Sequence, residues 1–259
     1  MKALAILLLL FAAPARAATF ADAESAFNAG QFAQAAVLAG ALHTADGDAL
    51  VARAELVLAA YLAPPAERNG HLSEAETAAR RALERNPDHV EAMLHLVIAL
   101  GYRARQLSPL AAHSAGYGRE AKQLIARALI LAPDDPWVHG IAGGWNGELV
   151  TAAGGFLAKL FYGASRQRMT AAFGRAMTLA PDNPAIRVEY AKVLLRLDAD
   201  RYAEGARALL AAASAMHPAN AFEALLQAQG ARLLSAMDHG DAALMAALAE
   251  VTPFSHQEE

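Results

Sequence analysis

Residues 169–184 read MTAAFGRAMTLAPDNP, and the spacing of four residues in this stretch decides the fold. The four residues are Met169, Phe173, Ala176 and Pro181. The first three are separated by four and three positions, so they lie on one face of an α-helix. Five positions later the proline cannot continue the helix and enforces a turn. Asn183 and the proline after it are typical of a helix start. The stretch therefore predicts the second helix of a hairpin, followed directly by the next hairpin.

The same register recurs along the chain. The matching sets are Ala75, Ala79, Ala82 and Pro87; Ala121, Ile125, Ala128 and Pro133; Ala206, Leu210, Ala213 and Pro218; and a weaker set, Ala35, Ala39, Leu42 and Gly47. Alanine at these positions lets a neighbouring helix approach closely. Asp88 and Asp135, which follow two of the closing prolines, are predicted to be N-caps of the next helices. We therefore predict an all-α array of about five helical hairpins. Residues 220–237 and 240–250 form one more hairpin pattern, which is the terminal cap that a stacked array requires.

These columns resemble the second half of a tetratricopeptide repeat, which ends A-x3-F-x2-A-x4-P. The resemblance covers most of the chain and implies a right-handed superhelix of stacked hairpins, whose first helices line a concave groove. Successive closing residues are 37 to 48 positions apart, whereas a regular tetratricopeptide repeat has 34. The array is therefore expected to be irregular, with insertions between the two helices of a hairpin.

The N-terminus is predicted to be a cleaved signal peptide. Lys2 supplies a positive charge, residues 3–13 are uninterruptedly apolar, and Ala15-Arg16-Ala17 is a small-x-small cleavage site. The apolar run of 11 residues is too short for a membrane-spanning helix, which needs roughly 20. The predicted segments are a signal peptide at 1–17, a helical repeat domain at 18–251 and a flexible tail at 252–259. The mature protein is expected to be periplasmic or secreted and soluble.

The overall charge argues against several classes of partner. The formal charge is −4, and it becomes −6 when Lys2 and Arg16 leave with the signal peptide. An acidic chain is a poor candidate for binding nucleic acid. The absence of cysteine leaves nothing to lipidate and no disulfide. We expect no integral membrane segment in the mature chain, no metal and no cofactor.

Residues 140–166 contain seven glycines, Trp145 and a long apolar run. A phosphate-binding loop is excluded, because no Gly-Lys-Ser/Thr follows a strand. A membrane span is disfavoured, because residues 149–162 are only 14 long and include Lys159. We interpret the segment as an enlarged hairpin, in which Trp137, Gly140, Gly144 and Gly147 face the concave side. The chain has 17 aromatic residues, and six of them lie between Trp137 and Phe173, where they are expected to pack the hairpin against its neighbours.

A narrower resemblance covers residues 134–195. Its positions are Trp145, Glu148, Phe161, Gly163, Phe173, Ala176, Pro181, Glu189 and Tyr190. They comprise a tryptophan followed by a glutamate, an apolar insertion ending in Phe-x-Gly, the Phe-x2-Ala-x4-Pro close and a Glu-Tyr pair. This pattern resembles the repeat domain of the regulator of microtubule dynamics family and related bacterial proteins. For an exported chain, the resemblance implies only the helical-repeat architecture with a hydrophobic insertion.

Two stretches contain residue types used in catalysis or metal binding. Residues 112–116, AHSAG, differ by one residue from the G-x-S-x-G nucleophile elbow, but that motif requires a strand-to-helix turn and no strand precedes it. His89, Glu91 and His95 lie in one predicted helix, where the six-residue step rotates the two histidines by about 240°. We interpret the first stretch as an insertion loop and the histidines as solvated or half-buried. The protein is therefore not expected to be an enzyme.

The remaining candidate site is the groove. The residues predicted to line it are Glu91, Leu94, Trp137, Gly140, Gly144, Trp145, Glu148 and Lys192. We predict a non-enzymatic interaction module that binds a protein or peptide partner there, with either tryptophan as the anchor. Two alternatives stay open: both tryptophans belong to the core, or the insertion between Trp137 and Phe173 carries a hydrophobic small molecule or lipid.

Overall fold

The computed structural model describes residues 18–254, so the predicted signal peptide and residues 255–259 lie outside the described residues. Within 18–254 the chain forms thirteen α-helices and no β-strand, which confirms the all-α prediction. The first seven are α1 Phe20–Asn28, α2 Phe32–Gly40, α3 Ala45–Val57, α4 Pro65–Arg85, α5 Val90–Arg105, α6 Pro109–Ser114 and α7 Tyr117–Leu131. The others are α8 Pro136–Tyr162, α9 Arg166–Leu179, α10 Pro184–Leu197, α11 Ala199–Ser214, α12 Ala221–Asp238 and α13 Asp241–Glu250. A π-helical turn at Leu58–Leu62 extends α3.

The helices pair in chain order into six hairpins, which are α1/α2, α3/α4, α5/α7, α8/α9, α10/α11 and α12/α13. The short helix α6 lies in the link between the two helices of the third hairpin. This arrangement confirms the predicted repeat array and its C-terminal hairpin. Among residues 18–254, none of the helices combines the length and apolarity needed to span a bilayer.

The repeat register corresponds to the buried face of each second helix. The buried residues are Ala75 and Ala82 on α4, Ala121 and Ala128 on α7, Phe173 and Ala176 on α9, and Ala206 and Ala213 on α11. Small side chains at most of these positions let the helices of neighbouring hairpins pack closely. Pro87, Pro133 and Pro181 each follow the residue that caps the C-terminus of α4, α7 or α9. Pro218 lies in the turn between α11 and α12.

Side-chain caps start the helices that follow these prolines. Asp135 and Asn183 cap α8 and α10 as predicted, each accepting a backbone N–H from the first turn. The expected cap of α5 was Asp88, and this is wrong. His89 is the cap instead, and its Nδ1 accepts the N–H of Ala92. Asp88 accepts hydrogen bonds from the Arg127 guanidinium on α7.

Helix α8 is the enlarged element. Its 27 residues are interrupted at Gly154, whose φ of 77° and ψ of 157° lie outside the helical region. That conformation suits glycine, because it has no Cβ. The kink turns the last two turns of α8 in a new direction. In this part Ala158 and Tyr162 are buried, whereas Phe156 and Leu160 are exposed.

The first and last hairpins meet. A methyl group added to Gly30, in the turn between α1 and α2, would lie 3.1 Å from Cβ of Ala221 at the start of α12. The Phe222 ring lies 6.4 Å from that of Phe27 and 6.2 Å from that of Trp137. The first, fourth and sixth hairpins therefore converge on one end of α12, and the array is closed by contact between its first and last hairpins.

The residues after α13 also pack against this surface. Arg105 Nη1 donates to the Pro253 carbonyl at 3.1 Å, and the Phe254 ring lies 5.2 Å from that of Tyr102. Pro253 is buried. Residues 252–254 were predicted to begin a flexible tail. In the structure they pack against Arg105 and Tyr102 of α5.

Candidate functional site

Among residues 18–254, three cavities along the concave surface adjoin one another and are open to solvent. We call them the central cavity, of about 200 Å³, the side cavity, of about 130 Å³, and the chamber, of about 610 Å³. The central cavity is lined by Tyr61, Tyr102, Trp137, Gly140, Gly144 and Phe222, among others. The side cavity is lined by Arg53, Glu91, Leu94, His95 and Trp137, among others. The chamber is lined by Leu100, Ala121, Leu149, Ala152, Leu157 and Phe161, among others.

The central cavity and the chamber share part of their lining. The shared residues are Val97, Gly101, Arg105, Trp145, Glu148 and Arg196. The two spaces therefore adjoin along α5, α8 and α10. One molecule that occupied both would pass this group of side chains, which contains three charged residues.

Seven of the eight residues predicted to line the groove do line a cavity. Trp137, Gly140, Gly144, Trp145 and Glu148 line the central cavity. Glu91 and Leu94 line the side cavity. These residues are brought together by α5 and the first four turns of α8. Their role in binding stays a prediction.

Lys192 was predicted to line the groove, but it lines none of the three cavities, and its side chain is only 2% exposed. Its Nζ donates to Oε1 of Glu189 at 2.7 Å and lies 3.5 Å from Oε1 of Gln229. It also lies 5.5 Å from the centre of the Tyr61 ring. Lys192 thus lies behind Tyr61, and it compensates the charge of Glu189, which does line the central cavity.

The glycines of α8 divide between two faces. Methyl groups added to Gly140 and Gly144 would meet no atom within 4 Å, because both residues face the central cavity. A methyl group on Gly143 would lie 2.6 Å from Cδ2 of Phe173. One on Gly147 would overlap Cγ1 of Val193. Gly147 was expected on the concave side, and this is wrong: it is the contact point between α8 and α10.

Both tryptophans combine packing with exposure to the cavities. Trp137 packs against Phe222 and separates the central cavity from the side cavity. Trp145 makes an edge contact with Tyr162, with the ring centres 6.3 Å apart. The Nε1–H of Trp145 is buried and has no hydrogen-bond partner among the described residues. A buried donor of this kind is costly unless it is paired, so it marks a place where a ligand acceptor would be stabilised.

A cluster of charges lies where the central cavity meets the chamber. Glu148 forms ion pairs with Arg105, at 3.0 Å, and with Arg196. Burial and the nearby Arg105 lower the pKa of Arg196 to about 9, so it remains charged at pH 7. Two arginines face a single carboxylate, so the cluster carries one excess positive charge. An anionic group is the natural complement of this cluster.

Two tyrosines line the central cavity next to this cluster, since the Arg105 guanidinium lies 5.3 Å from the centre of the Tyr102 ring. Tyr61 and Tyr102 both line the central cavity, and their phenol groups lie close enough to influence each other's pKa. Burial raises the pKa of both phenols, and neighbouring Glu189 raises both further. The tyrosines are therefore neutral at physiological pH and present ring faces and hydroxyl groups, but no negative charge.

The side cavity has a different electrostatic character. The Arg53 guanidinium lies 4.1 Å from the centre of the Phe27 ring and 3.9 Å from Glu91. Burial and nearby Arg53 lower the pKa of His95 to about 3, so its imidazole is neutral. The Nδ1 of His95 is buried and has no hydrogen-bond partner among the described residues. Because Glu91 balances Arg53, this cavity lacks the excess charge of the cluster beside the chamber.

The other stretches considered from the sequence have structural roles in the described residues. His113, in the AHSAG stretch, lies in helix α6, and its Nδ1 lies 2.6 Å from the Tyr162 hydroxyl. The two ring nitrogens of His89 contact Ala92 N and Asp46 Oδ1. Sequence reasoning missed Arg105, Arg196 and Phe222. A signal for Arg196 existed, because it follows three buried apolar residues near the end of α10.

The thirteen helices of the described residues, paired in chain order into hairpins, define a class, namely helical-repeat proteins. Residues 20–238 match the family described as regulator of microtubule dynamics protein 1-3, and the chain belongs to this family. The match confirms the resemblance found in residues 134–195 and extends it to nearly all described hairpins. A search of curated proteins found no match.

Proposed function

We propose that the protein is an exported, non-enzymatic binding module whose ligand is amphipathic. The apolar part of the ligand occupies the chamber, and its anionic group lies against Arg105 and Arg196. The observation that carries this proposal is the direct adjacency of a large apolar space to a partly buried cluster with excess positive charge. This is the carrier function that the sequence leaves open as an alternative for the aromatic-rich insertion, and the chamber is the binding space that we propose for it.

The size and lining of the chamber support a small ligand. Its volume of about 610 Å³ lies within the 300–1,000 Å³ that is usual for small-molecule sites. Leu100, Leu149 and Leu157 supply apolar walls, and few polar groups interrupt them. An extended peptide is less compatible with the central cavity, because Phe222 narrows it by contacting both Tyr61 and Trp137.

The cluster supports an anionic group on that ligand. Arg196 is the stronger determinant, because its side chain is mostly buried and shares Glu148 with Arg105. A carboxylate, sulfate or sulfonate placed between the arginines would neutralise the excess charge. It would also lie beside the indole N–H of Trp145, which is unpaired among the described residues.

A binding test can use the anionic dye anilinonaphthalene sulfonate as the probe. Gly101 lines both the chamber and the central cavity, and a Cβ atom added to it meets no atom within 4 Å. Gly101→Phe should therefore fill the space and weaken dye binding, whereas Gly205→Phe, on the outside of α11, should not. Arg196→Gln should weaken binding of the dye more than binding of an uncharged apolar analogue. Equal binding by the wild type and Gly101→Phe would contradict the proposal.

The natural ligand can be sought by mass spectrometry of an organic extract. Protein purified from its native envelope fraction should release an apolar anion in about one-to-one amount, and Gly101→Phe should release less. N-terminal sequencing of the same material tests export, because it should begin at residue 18.

A second candidate is the predicted protein interaction, and one observation favours it. The concave surface already accepts a polypeptide segment, since Arg105 binds the Pro253 carbonyl and Tyr102 contacts Phe254. A partner peptide could use the same two residues. Deleting residues 252–259 should then increase binding of a polypeptide co-purified from the envelope fraction, whereas dye binding in the chamber should change less.

A further inference from the structure

The part of α8 beyond Gly154 exposes an unusual amount of apolar side chain. Phe156, Leu160 and Phe161 are 77%, 62% and 56% exposed, and Leu110 on α6 is 77% exposed. Leu157 is also exposed. We call these five residues the apolar tip. Single exposed apolar residues are normal on protein surfaces, but a contiguous group marks an interaction site.

The helical spacing explains how the tip is built. Ala158 and Tyr162, four positions apart, are buried against the rest of the protein. Leu157 and Phe161, the adjacent pair, lie at the mouth of the chamber. Phe156 and Leu160 form a third stripe, which is exposed and does not line the chamber. This helical segment is therefore apolar on its outer side as well as its inner side, which a solvated helix is not.

Positive charge surrounds the tip. Residues 149–181 contain Lys159, Arg166, Arg168 and Arg175 and no acidic residue, although the whole chain has a formal charge of −4. Lys159, Arg166 and Arg168 are exposed and form no ion pair with any residue from 18 to 254. Arg119 contributes from α7, where its charge acts on the Tyr162 hydroxyl. By contrast, Arg80, Arg81 and Arg127 elsewhere are paired with carboxylates.

We propose that the apolar tip docks onto the surface of an anionic lipid bilayer. Exposed aromatic and leucine side chains flanked by lysine and arginine are the composition of interfacial membrane-binding segments. The unpaired cations would contact anionic headgroups, which attract basic residues near a membrane surface. Phe156 and Leu160 would enter the boundary between headgroups and acyl chains, and the chamber mouth would face the bilayer.

This inference goes beyond the proposed ligand and does not depend on it. The docking stripe of Phe156 and Leu160 is separate from the chamber lining, so the two proposals can fail independently. A variant that loses vesicle binding and keeps dye binding supports docking alone.

The test is co-sedimentation of the full chain with vesicles of phosphatidylglycerol and phosphatidylcholine. The wild type should bind vesicles that contain phosphatidylglycerol, bind pure phosphatidylcholine weakly, and be partly released by salt. Phe156→Ser with Leu160→Ser should weaken binding by at least about tenfold, which corresponds to about 1.4 kcal/mol. Lys159→Glu with Arg168→Glu should abolish the preference for phosphatidylglycerol.

The matched control is Val37→Ser with Met245→Ser. These residues are 73% and 61% exposed and lie on α2 and α13, away from the tip. This variant should bind vesicles like the wild type, and circular dichroism should show all three double variants to be folded. Failure of the wild type to bind, or equal loss in tip and control variants, would overturn the proposal. It would also be overturned if the tip variant only converted a dimer into a monomer, because the occupant would then be a second copy of the chain.

Discussion

Helix α8 carries one pair of glycines on each of two faces, and the space around the two pairs differs. Gly140 and Gly144 face the central cavity, where an added methyl group meets nothing. Gly143 and Gly147 contact Phe173 and Val193, where it would overlap other atoms. Glycine on one face of this helix therefore allows close packing against neighbouring helices, whereas glycine on the other face leaves the central cavity open. Stability should therefore depend on the packed face and binding on the open face.

The largest effect is expected from Gly147→Val, whose side chain would overlap Val193 and approach Met169 Sδ. Overpacking of a filled core costs roughly 1–3 kcal/mol, and the β-branched side chain places this case at about 3 kcal/mol. Urea denaturation should show this loss in the free energy of unfolding. Gly144→Val is the control, because it adds the same side chain on the open face. Equal losses in the two variants would show that the faces do not differ.

The second largest effect is a dependence of stability on pH, and it comes from His95 in the side cavity. His95 faces α8 across the side cavity, near Arg53 and His89, and its pKa of about 3 lies below the ordinary value of 6.5. The unfolded chain therefore binds a proton that the folded chain does not, so stability falls as the pH drops below about 6.5. At pH 5 the loss should be about 2 kcal/mol. His95→Leu should flatten this dependence, whereas His217→Asn, at an exposed position, should leave it unchanged.

Gly143→Ala should have a smaller effect on the packed face. The Phe173 ring lies against the added methyl group and is stacked on Tyr190 with the ring centres 4.4 Å apart, so it cannot move freely. The clash should exceed the gain in helix propensity and leave a net loss of about 1 kcal/mol. Combining it with Phe173→Leu should give less than the sum of the two single losses. Strict additivity in this double-mutant cycle would argue against the contact.

Gly144→Ala should have the smallest effect on stability, and it should raise stability rather than lower it. Alanine costs less backbone entropy than glycine in a helix, so this variant should gain about 0.5–1 kcal/mol. Thermal unfolding should show a rise in Tm. A loss of stability here would mean that the central cavity is filled by protein atoms.

The repeat register could be predicted from the sequence because its determinants are local. The four-three-five spacing places Ala128, Ala176 and Ala213 on the buried face of their helices, and the structure has all three buried. The cap at Asn183 follows from the same short-range chemistry. The choice of His89 over Asp88 was not predictable, since it depends on Arg127 of α7, 39 residues further along the chain.

The site was less predictable, because it depends on contacts between hairpins. Gly143 and Gly144 are neighbours in sequence, and no local pattern states which one meets Phe173. The contact of Phe222 with Trp137 joins the last hairpin to the fourth and requires the closure of the whole array. The central cavity exists because of that closure, so its lining could be listed only in part from the first helices.

The contact between the turn at Gly30 and the start of α12 has a consequence for the evolution of this chain. An open solenoid can gain or lose a repeat at little cost, because each repeat touches only its neighbours. Here the two termini of the array must match, so an inserted or deleted hairpin would separate Phe27 from Phe222. The number of hairpins is therefore fixed by geometry, and variation between relatives should be found within hairpin links, such as that of α6, rather than in their count.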